Sequence, residues 1–82
     1  MGKKTYSYDK ILSKKFGQKV YYLRKKNSLK QDEAAFMIGI STSYLSAIER
    51  GLCDSTITTA KRIAKVFNID LYELFLFDNI KK

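Results

Sequence analysis

The sequence predicts an all-α fold, a single domain over residues 1–82 built from five helices. Three observations support it. The chain has no proline and only four glycines, so few residues interrupt a helix. Apolar residues recur at spacings of three and four. No segment shows the two-residue alternation of a half-buried strand.

The first helix is expected from Tyr8 to Lys26, where Leu12, Phe16, Val20 and Leu23 share a face. Ser7 is its expected N-cap, and Asn27, tolerant of the left-handed conformation, its expected end. A second, short helix spans Gln31 to Ile38 and stops at Gly39. Ser41 caps a third helix that runs to Arg50 and ends at Gly51. The fourth, from Thr56 to Phe67, is expected to be capped by Asp54 or Ser55 and to bury Ile57, Ala60, Ile63, Ala64 and Phe67, with Asn68 terminating it. Asp70 and Glu73 have capping-box spacing and open a fifth helix through Phe77. Residues 1–7 read as an N-terminal extension and 78–82 as a frayed end.

Composition narrows the function. Sixteen Lys and Arg against eight Asp and Glu give a net charge of +8, which suits a polyanionic partner. The chain has no histidine and one cysteine, Cys53. It therefore lacks the commonest acid–base catalyst, an ordinary zinc site and any intrachain disulfide. No nucleophile–base pair or phosphate loop is recognisable, so an enzyme is not expected, and neither is a cofactor. No apolar run is long enough to span a membrane and no signal peptide opens the chain; the expected location is cytoplasmic. Cys53 reads as an incidental loop thiol.

The stretch from Gln31 to Arg50 is the most informative. Two short helices that cross next to a tight turn need a small residue where they face each other, and Ala35, four before Gly39, supplies it. The turn needs a residue tolerant of positive φ, and Gly39 supplies that. Ala34, Ile38, Ile40, Leu45 and Ile48 form a shared apolar set. Together these features describe a helix-turn-helix. On the third helix, Leu45 and Ile48 project inward. Thr42, Ser43, Ser46, Ala47 and Arg50 project outward, with Tyr44 on the boundary. A face of small polar residues fits a major groove, and Thr42 and Ser43 lie at the end that approaches base edges in this motif.

From Phe16 to Phe77 the chain resembles the Cro and phage-repressor type of helix-turn-helix protein, the XRE family. Val20-Tyr21-Tyr22-Leu23-Arg24 is similar to the family's first helix, and Leu29-Lys30-Gln31-Asp32-Glu33 to its second-helix opening. Tyr44-Leu45-Ser46-Ala47-Ile48-Glu49-Arg50-Gly51 is similar to its recognition-helix ending. Ile63 to Ile69, with Leu74-Phe75, resembles its closing pattern. The run Ser43 to Gly51 most resembles short restriction-modification controller proteins, although Ser41 and Thr42 stand where those carry an acidic–arginine pair. The resemblance implies a lambda-repressor-like domain that regulates transcription by binding double-stranded DNA.

The resemblance also implies residue roles. Thr42, Ser43, Tyr44, Ser46 and Ala47 are candidate base contacts. Gln31 is expected to brace a phosphate at the N-terminus of the second helix, the competing role being a cap of its own helix. Arg50, Lys30 and Lys61 are further phosphate candidates. Arg24 and Glu49 are expected to form a partly buried ion pair that aims the recognition helix.

Leu71, Leu74, Phe75, Phe77 and Ile80 make the C-terminal part more apolar than one small core requires, which points to a homodimer interface. A dimer would set two recognition helices about 34 Å apart and favour a palindromic site. Phe36 and Met37 are expected to pack under Tyr6 and Tyr8, or else, with Glu33, to meet a partner such as RNA polymerase. The competing function is an antitoxin or similar module whose main partner is another protein; a long acidic tail that wraps such a partner is not expected here.

Overall fold

The structure is a computed structural model, and it describes residues 9–77. Four α-helices follow one another, α1 (Lys10–Lys26), α2 (Gln31–Ile38), α3 (Thr42–Glu49) and α4 (Ile57–Val66), and a 3₁₀ helix (Leu71–Phe75) closes the fold. No strand occurs among the described residues.

α1 starts where Asp9 accepts a hydrogen bond from the Leu12 amide at 3.0 Å, so Asp9 is the cap; the expected cap, Ser7, lies outside the described residues. At the other end Ser28, not Asn27, takes the left-handed conformation, with φ 56°. Asn27 stays at negative φ and donates its side-chain amide to the Leu23 carbonyl at 2.7 Å. α2 has no acceptor side chain at its cap, Lys30, and the Glu33 carboxylate compensates by accepting the Lys30 amide at 2.8 Å. α4 is capped by Thr56, whose hydroxyl accepts the Thr59 amide at 3.0 Å. The two expected caps are used elsewhere: Asp54 accepts from the Ser13 hydroxyl at 2.7 Å, and Ser55 donates to the Thr56 carbonyl.

The fifth helix is shorter and tighter than expected. Its amide bonds reach back three residues, Glu73 to Asp70 and Leu76 to Glu73, and the chain turns extended at Leu76. The expected capping box opens the helix, with the Glu73 carboxylate accepting the Asp70 amide at 2.8 Å. Five residues hold too few four-residue-apart bonds to offset helix nucleation, which favours the 3₁₀ form.

The core runs through every element. Phe16, Val20 and Leu23 of α1 meet Ala34, Ala35 and Ile38 of α2, Leu45 and Ile48 of α3, Ala60, Ile63 and Ala64 of α4, and Leu74. Two apolar helix residues lie outside the core, one of them, Ile57, expected inside. Ile57, in the first turn of α4, is 82% exposed, and Thr59 is buried instead with its hydroxyl bonded to Thr56. Leu12, one turn before Phe16 on α1, is 47% exposed. Both lie beyond the edge of the core, where a correct helical phase no longer means burial.

α1 touches α3 through backbone. A Cβ on Gly17 would overlap the Ile48 carbonyl oxygen and stand 2.8 Å from that of Glu49. Only glycine lets the two helices approach this closely.

Candidate nucleic-acid interface

The turn that joins α2 to α3 is closed by Gly39 at φ 88°. The amides of Gly39 and Ile40 both reach the Ala35 carbonyl, at 2.9 and 3.0 Å. Ala35 and Ala34 are fully buried, and no larger side chain separates α2 from its neighbours there. Ser41 then caps α3, its hydroxyl accepting the Tyr44 amide at 3.0 Å. Chain reversal and helix restart thus take three residues.

The far end of α3 is fixed from outside the motif. Arg24 of α1 grips Glu49 with two parallel bonds, Nε to Oε2 at 2.7 Å and Nη2 to Oε1 at 3.0 Å. Its third nitrogen, Nη1, donates to the Leu29 carbonyl at 2.9 Å. The side chains are 10% and 4% exposed, so the pair is shielded from water and salt. The hydrogen bonds that Arg24 donates to Glu49 raise the Arg24 pKa above its ordinary value, burial opposing them. The guanidinium also lies 5.3 Å from the centre of the Tyr21 ring.

Gln31 does not cap its own helix, whose cap is Lys30. Its amide nitrogen donates to Glu49 Oε1 at 3.0 Å, which draws the first residue of α2 into the Arg24–Glu49 pair. One guanidinium and one carboxylate therefore tie together α1, the loop before α2, the start of α2 and the end of α3.

With both ends held, α3 presents a graded face. Thr42 and Ser43 are exposed. Tyr44, Ser46 and Ala47 are half-buried, and Tyr44 packs against the core edge. Arg50, Lys30 and Lys61 are exposed, Arg50 as the C-cap of α3. A polar cleft of ≈ 500 Å³ opens between α1 and α2, lined by Arg24, Lys25, Ser28, Leu29, Lys30 and Gln31. Two cations went unrecognised in the sequence. Lys25 borders that cleft, and Arg62 of α4 brings its Nη1 within 3.6 Å of where a Gly39 Cβ would be. Arg62 is thus beside the helix-turn-helix corner, a placement that follows from how α4 packs and carries no local sequence signal.

The C-terminal apolar set divides. Leu74 is fully buried in its own core, so it is not part of a dimer face: the 3₁₀ helix points it inward, against α1 and α4. Leu71 and Phe75 are exposed, Phe75 stacking on Phe16 with ring centres 5.5 Å apart. Phe77 is half-buried and meets Phe75 edge-on at 6.4 Å. Ile80 lies outside the described residues, as do Tyr6 and Tyr8. Phe36 is 85% exposed, with no described residue covering it. Burial pushes the Cys53 thiol pKa up, helped by the Asp54 charge, which disfavours the reactive thiolate. Among the described residues no helix is long and apolar enough to cross a membrane, and no three His, Cys, Asp or Glu side chains gather into a metal site.

The chain is similar to known proteins along most of its length. An uncharacterized HTH-type transcriptional regulator of Methanocaldococcus jannaschii is 31% identical over 61 residues, covering 74% of this chain and 92% of that protein. The ImmF control region 10 kDa protein of Bacillus phage phi105 is 43% identical over 58 residues, 71% of this chain and 64% of that protein. Among solved structures, the restriction-modification controller protein C.AhdI from Aeromonas hydrophila superposes with a TM-score of 0.74 at 33% identity, over 77% of this chain and 96% of that one. Residues 20–74 match the helix-turn-helix family HTH_3, which takes in all of α2, α3 and α4, and the chain belongs to that family.

Proposed function

We propose that the protein is a cytoplasmic transcriptional regulator that binds a palindromic operator as a homodimer. The observation that carries this reading is the mounting of α3. The Arg24–Glu49–Gln31 cluster holds one end rigidly while Thr42 and Ser43 stand free at the other. Such a helix, on a chain of charge +8, suits the major groove of DNA.

In this reading Thr42, Ser43, Tyr44, Ser46 and Ala47 meet base edges. Hydroxyls accept and donate, so they read bases permissively, and DNA shape supplies further selectivity. Gln31, Lys30, Arg50, Lys61 and, from its position, Arg62 contact phosphates. The Gln31 amide has a second hydrogen free for a phosphate, and its bond to Glu49 pre-orients it. Leu71, Phe75, Phe77 and Ile80 contribute to the dimer. The exposed Glu33, Phe36 and Met37 face of α2 is left for RNA polymerase. Phe36→Ala would then change transcription while leaving operator affinity as it was.

Selection of bound fragments from random DNA, followed by affinity against salt, tests the proposal. It predicts a palindromic motif bound at least 10³-fold more tightly than random DNA, on the order typical of specific binders, with a steep salt slope. Binding with no motif would reject it.

A further inference from the structure

On the side of the molecule formed by α1, α4 and the 3₁₀ helix lies an open groove of ≈ 390 Å³. Leu12 and Phe16 form one wall, Ile57 and Ala60 another, and Leu71 and Phe75 close it. Ile57 stands at the rim as the first residue of α4, 82% exposed. An isoleucine so placed gains nothing within the monomer, and a polar residue is favoured at a helix N-terminus.

The charge of the surroundings identifies what covers it. The chain carries +8, so two copies repel over most of their surfaces. The residues lining this groove include no lysine or arginine. The one charged residue there, Asp54, already accepts the Ser13 hydroxyl at 2.7 Å. DNA has no cation to meet on such a surface. A second copy of the same chain can approach here without bringing groove-lining lysines or arginines together, and it would bury the apolar side chains that this small domain leaves open.

We propose that the groove receives a second copy of this chain, with the Ile57 side chain of each copy seated in the groove of the other. The contact is isologous, as a two-fold axis requires. It rests on the homodimer reading and extends it: the interface takes in the start of α4 and the first turns of α1, beyond the C-terminal residues Leu71 and Phe75.

Sedimentation equilibrium of the full chain, across protein concentration, tests this with Ile57→Glu, Leu12→Glu and Phe36→Glu. Each replaced side chain is exposed, so the monomer fold should survive, which circular dichroism checks. Glutamate at the first position of α4 also suits the helix N-terminus and lowers the net charge by one. Any loss of association in Ile57→Glu therefore cannot come from a higher net charge or a weakened helix. The expected result is dimerisation weakened at least tenfold by Ile57→Glu and by Leu12→Glu, and unchanged by Phe36→Glu on α2. Dimerisation retained in both groove variants would overturn the groove contact and leave the homodimer standing. A wild-type chain that stays monomeric both free and on DNA would overturn both.

Discussion

Gly17 and Ile48 meet backbone to backbone, with the Ile48 carbonyl oxygen in the space a side chain on Gly17 would need. The residue that seats the recognition helix is therefore a missing side chain, about two helical turns before Arg24 along α1. Gly17→Ala must push α3 away from α1, because the obstacle is backbone and cannot rotate aside. Overpacking of this kind costs about 1–3 kcal/mol of stability. The displacement should also lower affinity for the selected operator at least tenfold while barely changing affinity for random DNA at low salt. Competition binding against both DNAs, with a thermal melt of each protein, separates the effects. Equal losses on both DNAs would show that Gly17 matters only for packing.

Arg24 and Glu49 should behave as one unit. Removal of either leaves the other buried without its partner, at about 3–5 kcal/mol. Arg24→Met and Glu49→Gln, singly and together, form the cycle. The double variant is expected to be more stable than the sum of the two losses implies, with a coupling of about 1–3 kcal/mol. Gln31 should feel both changes through Glu49. Independent, additive losses in chemical denaturation would refute the coupling.

Base readers and phosphate clamps should separate by salt dependence. Thr42→Ala and Ser43→Ala are expected to relax the sequence preference and leave the salt slope unaltered. Lys30→Ala and Arg62→Ala should weaken binding to all sequences alike, each lowering the slope by about 1. A salt titration of each variant on matched and mismatched DNA decides; an Arg62→Ala slope equal to wild type would remove Arg62 from the interface.

Leu74 and Phe75 are neighbours with opposite duties. Leu74→Ala opens a cavity in the core and should cost about 2–5 kcal/mol. Phe75→Ala should cost less in the monomer and weaken dimerisation more. Denaturation at low protein concentration, paired with sedimentation, compares them. Equal stability losses would mean that the stacking of Phe75 on Phe16 matters as much as burial.

Local chemistry was readable where the determinant is local. Gly39 had to end α2 because the turn demands positive φ, and Ser41 had to cap α3 because its hydroxyl sits three residues before Tyr44. The faces of α3 followed from 100° per residue. What escaped depends on where helices end relative to one another. Ile57 has the right phase to be buried with Ala60 and Ala64, yet the first turn of α4 overhangs the core. Lys19 lies on the inner side of α1 and is buried because its ammonium reaches the Leu76 carbonyl at 3.0 Å, a contact fifty-seven residues away in sequence. Gln31 turned to Glu49 for the same reason: its partner arrives from another helix. Arg62 became a candidate only once α4 had been laid beside the Gly39 corner.

The eight residues of α3 span about 12 Å, and its two ends have separate owners. Gly17, Arg24 and Gln31 all engage its last turn, whereas Thr42 and Ser43 occupy its first and share no side-chain hydrogen bond with them. Address and socket can therefore change independently. If Thr42 and Ser43 read bases as proposed, their replacement by other side chains would redirect the protein to new DNA without loosening its frame. A graft of α2 and α3 alone into a foreign scaffold would carry Thr42, Ser43 and Gln31 and leave Gly17 and Arg24 of the socket behind.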